Sequence, residues 1–273
     1  MFRFSAADFT FPMLSHAKAL QAVALLDFKF VDIGLFEGRS HIQPSDQLDH
    51  PEQNGKALAT LAKDTGLTVS DVFFQAHTDF SRCAINHPDE TIRYEQRELF
   101  SRCMDYVRAV GCTHFSALPG VDFGSSDSRK LCVEELTWRV ETACDAGITY
   151  AVEPHLGSII PTPDTVLAML GDVPGLTIIL DHSHYTFQGI PTEASQSLVP
   201  YASHVHARGA AKGEMQTPVR CSDTDFGKVV TQLKEGGYTG VVCIEYTYTE
   251  WENCFRTDNV SESIILRRIF EEK

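Results

Sequence analysis

The sequence predicts an α/β fold, a (β/α)8 (TIM) barrel formed as one domain over residues 1–273. Three observations carry this expectation. Eight short apolar runs recur along the chain, and helical patterns lie between them. The length, 273 residues, is close to the ~250 that eight such units need. Strand followed by helix points to parallel βαβ units, because parallel strands need a long crossover. An open doubly wound sheet is the competing arrangement. It ranks lower because no G-x-G-x-x-G or G-x-x-x-x-G-K-[ST] follows any run.

Taken in order, the runs are "FRFSAADF", "FKFVDIGLF", "TVSDVFFQ", "CTHFSALPG", "GITYAVEPH", "LTIILDHSH", "ASHVHARGA" and "GVVCIEYTY". The first, third and seventh are weaker by composition, with polar residues among the apolar ones. Between them, "SHAKALQAVALLDF" places a Ser cap before an Ala/Leu-rich helix. "DETIRYEQRELFSRCMDYVRAVG" and "SSDSRKLCVEELTWRVETACDAG" open on polar capping residues and stop on Gly. "DTDFGKVVTQLKEGG" follows the seventh run and "NVSESIILRRIFEE" closes the chain. "TEASQSLVPYA" is the least regular of these patterns and is expected to be short.

Composition narrows the function. There are 37 acidic and 23 basic side chains, a net charge of −14. That surface repels phosphate backbones, so no nucleic-acid partner is expected. No apolar run has the length of a membrane span and the first residues lack a signal-peptide layout. A cytoplasmic protein without membrane association is the expectation. None of the eight cysteines falls in a C-x-x-C pair, and Cys103, Cys144 and Cys243 sit in apolar stretches, which suits reduced core thiols.

In a barrel, reactive groups gather at the C-terminal strand ends. Run five presents Glu153. Run six presents Asp181, then His182 and His184. Run seven carries His204, His206 and Arg208 at period two, and run eight presents Glu245. Four consecutive strands thus end in a group able to ligate a metal. Three neighbouring carboxylates repel one another, and a divalent cation removes that conflict. Three oxygens and one imidazole suit one Mn2+ or Mg2+ ion, with Co2+ or Zn2+ compatible. His204, deeper in its strand, reads as a packed structural histidine. His182 is expected to turn outward, since Asp181 should point inward. An acid at a strand end is also a common helix cap.

These residues resemble the xylose-isomerase-like TIM-barrel superfamily, which includes ketose 3-epimerases, hydroxypyruvate isomerases and inosose and dehydroshikimate dehydratases. The carrying motifs are the acid of "VEPH", the D-x-x-H of "DHSH", the H-x-H of "HVH" and the acid of "IEY". The resemblance spans essentially the whole chain. It implies metal ligation by Glu153, Asp181, His206 and Glu245, and substrate contacts from His184 and Arg208. The chain departs after His206. Many relatives read histidine, apolar, lysine, aspartate there, whereas this chain reads "HARG", with Gly209 in place of the acid.

The implied chemistry is that of a metal-dependent sugar isomerase or epimerase: proton abstraction beside a carbonyl through an enediolate, with Glu153 and Glu245 as the acid/base pair. A metal-dependent dehydratase or lyase acting on a keto-cyclitol, dehydroshikimate or an oxidised glycoside shares the first step and is the alternative. An endonuclease IV-like nuclease is disfavoured by the net charge. It also needs histidines that the loops after runs four and seven lack. The partner implied is a small carbohydrate or keto-polyol, and barrels of this kind often self-associate, so a homo-oligomer is compatible. His77, after run three, is a further candidate substrate contact. Glu37 and His41 read as surface loop residues, and Tyr246, Tyr248 and Trp251 as aromatics near the site.

Overall fold

A computed structural model describes residues 2–272. Eight parallel strands close into one barrel in sequence order. They are β1 (Arg3–Ala7), β2 (Phe30–Phe36), β3 (Thr68–Gln75), β4 (His114–Ala117), β5 (Thr149–Val152), β6 (Thr177–Asp181), β7 (Ala202–Ala207) and β8 (Val241–Ile244). Each falls within one of the eight apolar runs. Helices return the chain between them: α1 (His16–Leu25), the single turn α2 (Pro44–Gln47), α3 (Pro51–Asp64), α4 (Glu90–Val110), α5 (Asp127–Asp145), α6 (Pro163–Asp172), α7 (His182–Phe187), α8 (Phe226–Glu235) and α9 (Asn259–Glu272).

Side-chain caps fix the start of several helices. Asp89 accepts from the Thr91 N–H at the start of α4, and Gly111 closes it in the left-handed region. Asp225 accepts from the Lys228 N–H at the start of α8. Ser15 occupies the cap position of α1 as expected, but its side chain makes no capping bond. Helices α3 and α6 were not among the patterns singled out in the sequence. Both begin at proline, and α3 carries Gly55 in its second turn, which dilutes its apolar stripe. That glycine has a packing reason: a Cβ there would lie 2.6 Å from the Tyr106 carbonyl oxygen of α4. "TEASQSLVPYA" forms 3-10 turns over Thr192–Tyr201, with Pro200 inside.

The main apolar core lies between the barrel wall and the helices. Val31, Ile33 and Leu35 of β2 pack there with Leu20 and Val23 of α1 and Leu58 of α3. Each such burial stabilises the fold by ~1.5–3 kcal/mol. The alternate residue Asp32 faces instead across the barrel to His204 of β7. The three weaker runs owe their polar residues to this interior. Ser5 of β1, Asp71 of β3 and His204 of β7 are all buried. Among the cysteines, Cys103 and Cys243 are buried but Cys144 is exposed on α5, which corrects the expectation for that residue. No helix among the described residues is long and apolar enough to cross a membrane.

Candidate metal centre

Glu153, Asp181, His206 and Glu245 are all buried and meet at the C-terminal mouth of the barrel. One donor atom from each lies within 4.8 Å of all the others. Strand ends place them there. The Glu153 N–H still donates to Ala117 of β4, and the Glu245 N–H to Ala207 of β7, so both acids leave strands that the sheet holds in register. Asp181 is the last residue of β6 and also the cap of α7. Its Oδ1 accepts from the Ser183 N–H at 2.8 Å, while Oδ2 stays in the cluster. The helix-cap role and the site role therefore fall on one residue.

The charges are arranged to share protons. His206 Nδ1 is 2.8 Å from Glu153 Oε1 and 3.4 Å from Glu245 Oε1. Arg208 reaches Asp181 Oδ2 at 3.2 Å and Glu245 Oε2 at 3.1 Å. Burial disfavours the charged form of His206, yet the surrounding Glu245, Asp32 and Glu153 raise its pKa well above the usual imidazole value. Burial also works against ionised Glu153, but hydrogen bonds and charge from His184 and His206 outweigh it and hold Glu153 well below the usual range. Glu245 ends differently: burial pushes it up to about 7 despite His206 and Arg208. Three carboxylates outnumber the two cations among them, and Glu245 Oε2 lacks a well-formed hydrogen bond.

That donor set fits a divalent ion. The four ligand atoms converge, three are carboxylate oxygens, and no cysteine joins them. Oxygen-rich sets with one imidazole favour Mg2+ or Mn2+ over thiolate-seeking metals. A divalent charge would also favour the ionised form of Glu245, which burial disfavours.

His184 stands beside the cluster, its Nε2 3.7 Å from Glu153 and 3.6 Å from Asp181. Its Nδ1 accepts from the Leu156 N–H at 3.1 Å, which assigns the proton of the neutral ring to Nε2. Six of the seven candidate residues are thus brought together: Glu153, Asp181, His206, Glu245, His184 and Arg208. His77 is the one set apart. It lies in the loop after β3, its Nδ1 accepts from the Asp79 N–H at 2.8 Å, and it lines a neighbouring cavity with Phe80 and Cys83. Glu37 holds Ser45 and His41 stacks on His16, both in structural roles. His182 is buried away from the cluster toward Gln232 of α8, and its pKa is pushed down to about 4 by burial.

Residues that the sequence did not single out complete the pocket: Phe36, Phe73, Gln75 and Arg39 line it beside the acids, together with Trp251, one of the aromatics expected near the site. His155 is buried with its ring centroid 4.1 Å from that of His184 and 5.2 Å from Trp251, and burial pushes its pKa down to about 3. It follows Glu153 by two positions, but Pro154 intervenes after the strand ends, so period-two counting does not reach it. Tyr246 supports the site from behind. Its hydroxyl accepts from the Gly209 N–H at 3.0 Å and donates to Thr217 O at 3.2 Å. The same contact explains the departure after His206. A Cβ at position 209 would lie 2.5 Å from Thr217 O and 2.9 Å from the Tyr246 hydroxyl. No side chain fits there, an aspartate included.

A family model described as "Xylose isomerase-like TIM barrel" matches residues 20–267. A search of curated proteins finds no match at the sequence level. Among solved structures, an L-ribulose 3-epimerase is similar over 100% of this chain and 95% of its own, with 17% identity and a TM-score of 0.79. The probable 3-DHS dehydratase AsbF of Bacillus anthracis is similar over 97% of this chain and 99% of its own, with 14% identity and a TM-score of 0.74. A xylose isomerase-like TIM barrel protein from Mycobacterium smegmatis, solved in complex with magnesium, is similar over 99% and 96%, with 17% identity and a TM-score of 0.75. At these identities the likeness is one of fold.

Proposed function

The chain belongs to the xylose isomerase-like TIM barrel family, and from that premise we propose that it is a divalent-metal-dependent sugar isomerase or epimerase. Its substrate is a small carbohydrate or keto-polyol. One observation supports this reading above the others: the C-terminal ends of β5, β6, β7 and β8, two of them by the residue that follows the strand, each bring one donor to a buried cluster only 4.8 Å across. Glu153, Asp181, His206 and Glu245 would hold the ion, and the oxygen-rich set favours Mn2+ or Mg2+.

Bound there, the ion supplies Lewis-acid polarisation of a substrate carbonyl, which acidifies the neighbouring C–H. The rest falls to side chains. Glu153 and Glu245 come from β5 and β8 and flank His206, so they reach a bound carbon skeleton from two sides. One carboxylate takes the proton beside the carbonyl and the other returns it. Return to the opposite face inverts the centre, and return to the adjacent carbon moves the carbonyl. Negative charge grows on the former carbonyl oxygen as the proton leaves. His184 Nε2–H and the Arg208 guanidinium stand ready to donate to it. The Trp251 and Phe36 rings help to exclude water and offer apolar faces to the carbon skeleton.

Solvent exchange tests the reading. Protein loaded with Mn2+ is incubated in heavy water with a panel of ketoses and keto-polyols, and the carbon-bound protons are followed by NMR. The expected result is deuterium at the carbon beside the carbonyl, with EDTA abolishing exchange. A product that has lost water moves the protein to the lyases of the same fold. Exchange indifferent to EDTA, or no exchange with any of the panel, removes the isomerase reading.

A further inference from the structure

Beneath the four candidate ligands the barrel interior holds a second buried group, Asp32, His204 and His206, whose donor atoms again lie within 4.8 Å of one another. His206 belongs to both groups and faces each with a different nitrogen. Nδ1 points at Glu153 Oε1, 2.8 Å away. Nε2 points the other way, is buried, and has no hydrogen-bond partner. Among the described residues, the carboxylate within ion-pair distance of Nε2 is Asp32, whose Oδ2 is 3.6 Å away.

Asp32 is itself held on both oxygens. Oδ1 accepts from Ser70 Oγ at 2.5 Å, and Oδ2 is 2.6 Å from His204 Nε2. A second cation between Asp32 and His204 does not suit that distance. Two ligands on one ion, each at ~2.0–2.2 Å, stand ~3 Å or more apart. A contact of 2.6 Å is a hydrogen bond with a proton in it.

We propose that Asp32, braced by His204 and Ser70, is the positioning carboxylate that makes Nδ1 the metal-facing nitrogen of His206. The inference rests on the metal reading of the upper cluster. A ligating nitrogen must offer a lone pair, so the ring proton must sit on the other nitrogen, and buried N–H groups need an acceptor. Asp32 is that acceptor; closing 3.6 Å to a hydrogen bond takes a shift of only ~0.5 Å. Its charge also makes the imidazole a stronger donor. His204, which the sequence marks as a packed histidine, thus acts one step removed from the centre.

A nearby pair supplies the control. Asp71 and His114 are also buried in the barrel and 2.6 Å apart, and Asp71 also accepts from Ser116. No ion pair or hydrogen bond joins this pair to the four upper residues. Mn2+ affinity is measured by calorimetry on metal-free wild type, Asp32→Asn and Asp71→Asn, with thermal melts alongside. Asn at position 32 can donate its amide to Nε2, which forces the proton onto Nδ1 and blocks ligation. The expected loss of affinity is ~10–100-fold for Asp32→Asn, with Asp71→Asn unchanged even where it lowers the melting temperature. Co2+ absorption should change in Asp32→Asn alone. Should Asp32→Asn fail to fold, His204→Phe frees Asp32 from its brace and is expected to weaken Mn2+ binding severalfold. Equal losses at positions 32 and 71, or wild-type affinity in either Asp32→Asn or His204→Phe, overturn the proposal while leaving the metal reading standing. A wild type that binds no divalent ion overturns both.

Discussion

Asp181 shows how much one side chain carries at this site. Oδ1 caps α7 through Ser183, and Oδ2 meets Arg208 at 3.2 Å. The sequence offers cap and ligand as alternatives; the geometry gives the cap to Oδ1 and leaves Oδ2 beside Arg208, open to the proposed ligand role. Glu245 and Gly209 carry the predictions at this scale. Glu245→Gln keeps the shape but removes both the charge and the titrating proton. Turnover should fall at least ~10²–10⁴-fold, the usual share of a positioned acid or base, and Mn2+ should bind more weakly; steady-state kinetics and calorimetry measure the two. Normal activity in that variant would refute its role. Gly209→Ala introduces a Cβ 2.5 Å from Thr217 O. Overpacking of this kind should cost ~1–3 kcal/mol, read as a lower urea midpoint. A stability equal to wild type would show that the loop after β7 yields freely.

Helix α3 obeys its neighbour more than its own composition. Replacing glycine by alanine within a helix ordinarily gains up to ~1 kcal/mol. Gly55 is the exception by geometry, with Tyr106 O and the Ala109 Cβ of α4 only 2.6 and 2.8 Å from the Cβ it lacks. Gly55→Ala should therefore destabilise the protein, and a raised melting temperature would contradict the close crossing. The strands carry a parallel lesson. β3 and β7 look weak in composition because Asp71, His204 and His206 point inward, while their alternate residues, Val72 and Val205, join the apolar core. Period-two alternation was legible. What Asp71 and His204 were for was not, since their partners, His114 and Asp32, lie on other strands.

At the scale of the whole molecule, closure of the barrel concentrates negative charge at one end, and a bound ion should tie four strands together. Saturating Mn2+ is expected to raise the melting temperature and EDTA to lower it. At a free concentration of a hundred times Kd the gain is ~2.7 kcal/mol. Differential scanning fluorimetry across a metal titration tests this, and a melting temperature indifferent to both additions would count against the centre.

The barrel order, the strand-end acids and the H-x-H of β7 were all readable in the chain, because alternation and capping are set by neighbours a few residues apart. Only the closed barrel decided that His204 meets Asp32, 172 positions away, that His155 lies against His184, and that His77 stands apart from the acids. Such pairings depend on the register and tilt of strands packed around a common axis. No local stretch of sequence encodes that geometry by itself.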